Sequence, residues 1–333
     1  MICGQRSAVV LSFTVLAVAA VSVTISRAET TAGPSPRPLK YSNPILTEDN
    51  PADPDVLLVD GTYYLYATTR GRGYDAWTST DLVNWKLRGS VFKAPDGGAW
   101  APDLLHNVRG DGKFYLYYTD SKPDAPRHGP QGKQIGVAVS DSPLGPFVDK
   151  KVLADGSIDA HLFQDDDGKY YLYYVEIVDG FKIFAQRMSD PLTKEGDRVE
   201  VIHPTEHWEM ASGHVTEGPF MLKRNGIFYL MYSGSGADTP NYAIGYATSK
   251  SPMGPFQKFA GNPIAHRGNG IYGPGHHCVV DGPNGKMWMV YHQKSNDGTN
   301  YRRFLALDPI WFDEAGELHA RVTRGTAEQG PAK

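Results

Sequence analysis

Short runs of alternating apolar and polar residues cover most of the chain, and aromatic side chains occupy many of the apolar positions. Alternation over about four to eight residues with aromatic side chains is typical of β-strands. Five runs follow a turn dipeptide of the type that favours a tight hairpin. No window has a sustained apolar period of 3.6 residues, so the pattern predicts an all-β fold. The five dipeptides are Asp60-Gly61, Asp111-Gly112, Asp167-Gly168, Asn225-Gly226 and Asn284-Gly285.

The five hairpins belong to a repeat. Their turns are separated by 51, 56, 58 and 59 residues, and each apolar strand before a turn is followed by an aromatic strand and a strand of small residues. The pattern Ser-Pro-x-Gly-Pro-Phe closes two repeats, at Ser142 to Phe147 and at Ser251 to Phe256. Several short strands in each repeat of about fifty residues are typical of propeller blades. We therefore predict a single five-bladed β-propeller over residues 40–333, with a β-sandwich of unrelated hairpins as the alternative.

Residues 1–28 have the pattern of a secretory signal peptide. Arg6 precedes an apolar run from Ala8 to about Ile25, and the run ends in the small-residue pattern Ser26-Arg27-Ala28. The run is about 18 residues long, so an uncleaved membrane anchor is the alternative. We predict a flexible lead-in at residues 29–39. The chain is then expected to be secreted or periplasmic, with no membrane association after cleavage.

Composition and charge narrow the classes of partner. Hydrophobic residues make up 41% of the chain, which is enough for a packed core and excludes a disordered protein. The formal net charge is −4 and the basic residues are not clustered, so a nucleic-acid partner is excluded. Of the two cysteines, Cys3 lies in the predicted signal peptide and leaves Cys278 alone, so no internal disulfide is predicted. We expect a monomer.

Three carboxylates lie just ahead of the predicted first strands of blades. Asp53, Asp159 and Glu217 precede the first, third and fourth turns by 7, 8 and 8 residues. The innermost strands of a propeller line a central channel, and ligands bind at a concave mouth of this kind. Because the three residues share one register, we expect their side chains to point at a common centre. The alternative is that each of them only forms a turn.

Carboxylates that share one site repel each other, and this repulsion raises the pKa of at least one of them. Hydrolysis of a glycosidic bond requires one protonated and one ionised carboxyl group, which act as acid and base. The predicted cluster therefore points to a glycoside hydrolase with a carbohydrate substrate. A propeller that binds glycans without cleaving them is the alternative from another functional class.

From Asn43 to about Gly316 the sequence resembles glycoside hydrolase family 43, whose members are five-bladed β-propellers acting on arabinose- and xylose-containing glycans. The resemblance implies that Asp53 is the general base, that Glu217 is the general acid, and that Asp159 orients the acid and tunes its pKa. It also implies inversion of configuration, with reacting carboxyl groups roughly 6.5–9.5 Å apart. The family often has proline after the third carboxylate, where this chain has alanine.

The same resemblance implies residues that bind the sugar. Trp100 matches an aromatic floor of the sugar subsite, Asp103 a hydrogen-bonding residue near the centre, and Arg303 an arginine near the sugar. A core position for Trp100 and a solvated position for Arg303 are the alternatives. Trp208, in a loop just before Glu217, is a further candidate for substrate binding because its bulk could close one side of a pocket.

His276 resembles a channel histidine that contacts a central metal ion in many family members, often calcium. Neighbouring residues on a strand point to opposite faces, so only one of His276 and His277 lines the channel, and the preceding glycine favours His276. Zinc is not expected, because these histidines and Cys278 cannot converge on one ion. The resemblance implies no required cofactor beyond this structural calcium.

We therefore expect an exported, inverting enzyme that hydrolyses α-L-arabinofuranosyl or β-D-xylosyl linkages. The motifs do not separate these activities. Two loops, Lys122 to Lys133 and Glu206 to His214, are predicted to decide between an open groove and a blocked pocket, and we favour exo action. A sucrose- or fructan-acting relative is disfavoured because the Asn-Asp-Pro-Asn type of motif is absent around Asp53.

Overall fold

The computed structural model describes residues 39–106, 110–123 and 132–331. In these residues the chain forms five four-stranded antiparallel sheets, one short two-stranded sheet and no α-helix. The strands of each four-stranded sheet follow one another in chain order, and the five sheets are arranged in a ring. The predicted five-bladed β-propeller is confirmed.

Each predicted hairpin forms the first two strands of one blade, and two further strands complete the blade. Blade 1 contains β2 Ala52–Val59, β3 Thr62–Thr68, β4 Gly73–Ser79 and β5 Lys86–Lys93. Blade 2 contains β6 Trp100–His106, β7 Phe114–Ser121, β8 Lys133–Ser140 and β9 Val148–Asp155. Blade 3 contains β10 Ser157–Gln164, β11 Tyr170–Ile177, β12 Phe181–Asp190 and β13 Thr193–Ile202. Blade 4 contains β14 Thr216–Arg224, β15 Ile227–Gly234, β16 Ala243–Ser249 and β17 Gln257–Lys258. Blade 5 contains β18 Gly275–Asp281, β19 Met287–Lys294, β20 Arg303–Phe312 and β21 Leu318–Ala320.

The core lies between the blades. Five clusters of buried apolar residues form, one for each pair of neighbouring blades, and the aromatic second strands supply many of their members. The alternation seen in the sequence follows from this packing, since successive side chains of a strand enter the clusters on either side of the blade. The first strands, β2, β6, β10, β14 and β18, contact one another in a closed ring and line the central channel.

Every first strand contains a bulge at the same place. One residue in each strand has a positive φ of 44 to 57° and interrupts the pairing with the second strand. A bulge of this kind redirects a side chain out of the regular alternation. The bulge therefore turns a side chain towards the axis in the four blades whose bulge residue is not glycine. The five bulge residues are Asp53, Ala101, Asp159, Gly218 and His276.

The prediction that the three carboxylates share one register is wrong for Glu217. Asp53 and Asp159 are bulge residues, whereas Glu217 precedes the bulge residue Gly218. The number of residues between each carboxylate and the next turn hid this difference, because the connections differ in length. Strands β2 and β3 are joined by a two-residue turn, whereas strands β10 and β11 are joined by the longer segment 165–169.

The two ends of the described chain close the ring. Strand β1 (Lys40–Tyr41) pairs with strand β22 (Glu328–Gln329). The buried side chain of Asn43 donates to Asp308 Oδ2 at 2.9 Å and accepts from the backbone N–H of Leu307 at 2.8 Å. We call Tyr41, Asn43, Tyr291, Asp308 and Thr323 the closing cluster. Segments far apart in sequence are thus joined at blade 5.

Some predictions concern residues that the structure does not describe. The signal peptide (1–28), the lead-in (29–39) except for its last residue, and most of the loop from 122 to 133 lie outside the described residues. Within the described ranges, no helix is long and apolar enough to cross a membrane.

Candidate active site

The three predicted carboxylates meet at one end of the channel, around His276. Asp53, Asp159 and Glu217 are each at least nine-tenths buried. His276 Nδ1 lies 3.4 Å from Asp53 Oδ1 and 3.9 Å from Asp159 Oδ2. Asp159, Glu217 and His276 each present one atom within 4.8 Å of the others. The bulges explain this convergence, because they turn Asp53, Asp159 and His276 towards the axis.

Asp53 is held through one of its two oxygens. Arg303 Nη1 and His292 Nδ1 both lie 3.1 Å from Asp53 Oδ1, on the same oxygen that His276 approaches. Among the described residues, no hydrogen bond to Asp53 Oδ2 is found. Burial alone would raise the pKa of Asp53, but the charges of Arg303 and His276 and the contact with His292 hold that pKa well below its usual value. Asp53 is therefore ionised, with Oδ2 available to a water molecule.

Glu217 and Asp159 have the opposite electrostatic character. Burial raises the pKa of Glu217 to about 7, although the hydroxyl of Tyr242, which donates to Oε1 at 2.7 Å, acts against this rise. Burial also raises the pKa of Asp159 to about 7; the charge of His276 lowers it, and those of Glu217 and Asp53 add to the rise. The backbone N–H of Gly218 donates to Asp159 Oδ2 at 3.1 Å. Near neutral pH the site thus contains one ionised carboxylate beside two carboxyl groups that retain much of their protonation.

Both carboxylate oxygens of Asp103 are engaged in contacts within the fold. His161 Nδ1 donates to Asp103 Oδ1 at 2.7 Å, a tautomer assigned because His161 Nε2 accepts from the Met221 backbone at 3.0 Å. The backbone N–H of Leu162 donates to Asp103 Oδ2 at 2.9 Å. Both oxygens therefore join blade 2 to blade 3. The structure gives no support for a contact between Asp103 and substrate.

A cavity of about 20 Å³ lies in the channel beside Asp103, which is room for about one water molecule. His277 lines this cavity, and both of its ring nitrogens are buried without a hydrogen-bond partner among the described residues. Burial and the neighbouring histidines His276 and His161 lower the pKa of His277 to about 3, so its ring is neutral. His276 and His277 both contact the channel, but only His276 reaches the carboxylates.

Trp100 and Trp208 differ in how they are held. Trp100 is 43% exposed and directly precedes the bulge residue of blade 2, and the buried Lys133 places its Nζ 3.5 Å from the ring centroid. Trp208 stacks on Tyr232 at 5.5 Å and donates through Nε1 to Glu206 at 2.5 Å. Trp100 is thus braced on one side with substantial exposed surface, whereas Trp208 is engaged in packing against blade 4. For Trp208 the structure gives no support for substrate binding.

Three residues near the carboxylates were missed in the sequence. Tyr242 and His292 are fully buried and contact Glu217 and Asp53. Tyr301 is 61% exposed, and its ring lies 5.4 Å from the guanidinium of Arg303. None of the three lies just ahead of the first strand of a blade, where the repeat predicted the carboxylates. A histidine within the aromatic strand β19 was the one signal that could have revealed His292.

The geometry agrees with an independent comparison. A sequence model described as "Glycosyl hydrolases family 43" matches residues 41–318. The chain belongs to glycosyl hydrolase family 43. It is 30% identical over 299 residues to a β-D-galactofuranosidase of Aspergillus niger, covering 80% of this chain and 81% of that protein. It is 29% identical over 296 residues to an extracellular exo-α-(1→5)-L-arabinofuranosidase of Streptomyces chartreusis, covering 78% and 84%.

Solved structures of family 43 agree with this assignment. The crystal structure of a thermostable family-43 glycoside hydrolase matches with a TM-score of 0.79 at 35% identity, covering 87% of this chain and 99% of that one. The chain is accordingly a glycoside hydrolase. The names of its relatives include galactofuranosidase, arabinofuranosidase, xylosidase and arabinanase, so family membership does not select one sugar.

The predicted calcium ion would find few protein donors at the site. Calcium takes about six to eight oxygen ligands, whereas Asp159, Glu217 and His276 offer two carboxylates and one nitrogen. A cation bound to Glu217 would also keep that carboxyl group ionised, while its burial favours the protonated form. Water would have to supply most of the ligands of a calcium ion here, and the predicted ion stays a prediction. The mechanism proposed below for this family 43 enzyme contains no metal step.

Proposed function

We propose that this family 43 glycoside hydrolase cleaves α-L-arabinofuranosyl or β-D-xylosyl linkages with inversion, using Asp53 as general base and Glu217 as general acid. The observation that carries the proposal is the split between two buried carboxyl groups at one channel mouth. The pKa of Asp53 is held well below its usual value, and that of Glu217 is raised to about 7. Such a split lets one carboxyl group accept a proton while the other donates one.

In the proposed reaction the carboxyl groups of Asp53 and Glu217 have separate roles. Asp53 Oδ2 takes a proton from water while the water oxygen attacks the anomeric carbon. The bond from that carbon to the leaving oxygen breaks, and the leaving oxygen takes the proton of Glu217. Asp53 ends protonated and Glu217 ionised, and exchange with solvent restores both. Asp159 lies beside Glu217 and His276, and its negative charge raises the pKa of Glu217 and so favours the protonated acid.

Two exposed aromatic residues support a sugar substrate. Trp100 and Tyr301 are 43% and 61% exposed, and each ring lies over a cation, Lys133 or Arg303. Rings held in this way offer flat apolar surfaces to the faces of a sugar. Arg303 lies between Tyr301 and Asp53, which supports the predicted position of this arginine near the sugar. Exo action stays a prediction, since the loop from 122 to 133 is largely outside the described residues.

A panel of 4-nitrophenyl glycosides tests the proposal. We expect release of 4-nitrophenol from the α-L-arabinofuranoside or the β-D-xyloside, and the anomer first formed, followed by proton NMR, should be the inverted one. Glu217→Gln and Asp53→Asn are the matched controls. Retention of configuration would contradict the assigned roles, because it requires a nucleophile instead of a base.

A second substrate has a specific observation in its favour. The Aspergillus niger relative is named a β-D-galactofuranosidase, so 4-nitrophenyl β-D-galactofuranoside belongs in the panel. Turnover on this substrate alone would replace the proposed sugar and leave the mechanism intact. If no variant differs from the wild type on any sugar, while glycan binding is measurable, the chain is a non-catalytic glycan-binding propeller.

We further propose export through the signal peptide at residues 1–28 and action as a monomer. The support for export is the sequence pattern together with the printed name of the extracellular Streptomyces chartreusis relative. N-terminal sequencing of the protein released by expressing cells should begin at Glu29. Retention in the membrane fraction would favour the uncleaved anchor.

A further inference from the structure

Two stacked rings link the base to the acid. Tyr242 and His292 lie with their ring centroids 5.4 Å apart and their planes within 10° of parallel, and both are fully buried. The Tyr242 hydroxyl donates to Glu217 Oε1 at 2.7 Å. His292 Nδ1 lies 3.1 Å from Asp53 Oδ1. We call these two residues the ring bridge.

The ring bridge is tightly packed. Gly275 lies against it, and a Cβ atom built on Gly275 would stand 2.1 Å from Tyr242 Cε1. No side chain fits at such a distance, so only glycine permits the stack. This contact supplies a reason for the glycine that precedes His276. Burial lowers the pKa of His292 to about 4, so the ring is neutral.

His292 makes one contact that the equivalent residues of the other blades do not make. Thr68, Thr119 and Ser233 occupy the same place in blades 1, 2 and 4, opposite the residue before the bulge. Each of their hydroxyls accepts the backbone N–H of the bulge residue in the next blade, at 2.8, 3.1 and 2.8 Å. A threonine would serve the same purpose in blade 5. His292 Nδ1 accepts the backbone N–H of Asp53 at 3.3 Å in the same way, and it also lies 3.1 Å from the carboxylate oxygen Oδ1 of that residue.

We propose that Tyr242 and His292 are positioning residues that fix which oxygen of each catalytic carboxyl group reacts. Tyr242 makes Glu217 Oε1 the acceptor, so the proton to be donated is on Oε2, and its hydroxyl stabilises the carboxylate left after donation. His292 contacts Asp53 at its backbone N–H and at Oδ1, and leaves Oδ2 for water. The inference rests on the proposed function, and neither residue touches the substrate.

Substrates with different leaving groups test Tyr242. In Tyr242→Phe the ring and the stack are kept and the hydroxyl is lost. Loss of one hydrogen bond to a group that becomes charged should reduce kcat about tenfold or more on an unactivated disaccharide. The 2,4-dinitrophenyl glycoside needs little protonation of its leaving oxygen, so kcat on it should change less than about threefold. Tyr173→Phe is the matched control, since the Tyr173 hydroxyl donates to the Pro252 carbonyl at 2.6 Å in blade 3.

His292→Thr tests the other half of the bridge. Threonine keeps an acceptor for the Asp53 backbone N–H and removes the contact with the Asp53 carboxylate. We expect kcat to fall about tenfold on both leaving groups, with KM unchanged, because attack by water is impaired whatever the leaving group. The near-ultraviolet circular dichroism spectrum should match the wild type, which separates positioning from loss of structure.

The outcomes distinguish this inference from the proposed function. Equal losses for Tyr242→Phe on both leaving groups, or wild-type kcat in His292→Thr, would overturn the ring bridge. If Glu217→Gln itself lacks leaving-group dependence, or Asp53→Asn keeps full turnover, the proposed function fails instead. The proposed role of the ring bridge is supported only if Glu217→Gln and Asp53→Asn both lose activity. In addition, Tyr242→Phe must lose kcat mainly on the unactivated disaccharide, and His292→Thr must lose it on both leaving groups.

Discussion

Two buried aspartates of this propeller, Asp308 in the closing cluster and Asp53 at the channel mouth, are held in different ways. Asp308 accepts hydrogen bonds on both oxygens, at 2.7 Å from the Thr323 hydroxyl on Oδ1 and at 2.7 Å from the Tyr291 hydroxyl on Oδ2. Asp53 is contacted on Oδ1, and no such bond reaches its Oδ2 from the described residues. The structural carboxylate is saturated, whereas the proposed catalytic one keeps an oxygen free for chemistry.

The charges of the partners differ as well. The direct donors to Asp308 are neutral hydroxyl and amide groups, and burial outweighs them and raises its pKa to about 6. Asp53 is also buried but has the guanidinium of Arg303 beside it, and its pKa is lowered. Hydrogen bonds from neutral groups therefore do not offset burial here, while a cation does.

Asp53→Asn should have the largest effect on turnover. The amide cannot accept a proton from water, and the loss of a general base lowers kcat by about a thousandfold. Sugar binding, measured by isothermal titration calorimetry, should persist within about threefold of the wild type. Turnover close to that of the wild type would mean that Asp53 is as structural as Asp308.

The pH profile of kcat/KM should show the same split. Activity requires Glu217 to be protonated, so it should fall about tenfold for each pH unit above about 7, its raised pKa. The acidic limb should lie well below pH 4, because Asp53 remains ionised there. In Tyr242→Phe the basic limb should move to higher pH, because the lost hydrogen bond had lowered the pKa of Glu217. A basic limb that stays in place would contradict this coupling.

Trp100→Ala should weaken binding without changing the chemistry. The ring offers an exposed surface near the mouth but touches neither Asp53 nor Glu217 in the described contacts. We expect KM to rise about tenfold, which corresponds to about 1.4 kcal/mol, with kcat within about twofold of the wild type. Trp311→Ala, an exposed tryptophan on β20, is the matched control. A fall in kcat alone would place Trp100 in the catalytic machinery.

Asp308→Asn should have the smallest effect on turnover and a clear effect on stability. Because the folded pKa of Asp308 is raised from 3.8 to about 6, its favourable contribution is full below about pH 4 and is lost as the pH rises through about 6. Asparagine resembles the protonated carboxyl group and removes this dependence. The difference in melting temperature between wild type and variant should therefore change between pH 4 and 7, while kcat per folded molecule stays the same. A pH-independent difference would show that Asp308 does not titrate in this range.

The sequence was sufficient for the features that repeat. Five hairpins with aromatic second strands predicted five blades, because blade packing requires the same alternation each time. Asp53, Asp159 and Glu217 were predicted together for a related reason, since they lie at or next to bulges that recur in every blade. His276 and Arg303 were indicated by resemblance.

Features that occur once were harder to predict. Tyr242 lies just before the third strand of blade 4, and His292 lies on the second strand of blade 5. Their stack depends on packing across blades that no local pattern encodes. Trp208 was expected at the pocket because it is close to Glu217 in sequence, but its ring packs over Gly234 and Gly245. The register of Glu217 was predicted wrongly because the number of residues between a carboxylate and the following turn depends both on the position of the bulge and on the length of the turn.

The closing cluster also constrains how the ring folds. The strands of blade 1 are contained within residues 52–93, whereas Asn43 must meet Asp308 across a separation of 265 residues. Closing the longer segment costs about 1.7 kcal/mol more chain entropy than closing one blade. The blades are therefore expected to form as local units as the chain is made, and the contact between Asn43 and Asp308 to form last. We therefore expect folding to proceed along the chain, with the segment around Asn43 docking only after blade 5 has formed. The wall of the channel is complete only at that point.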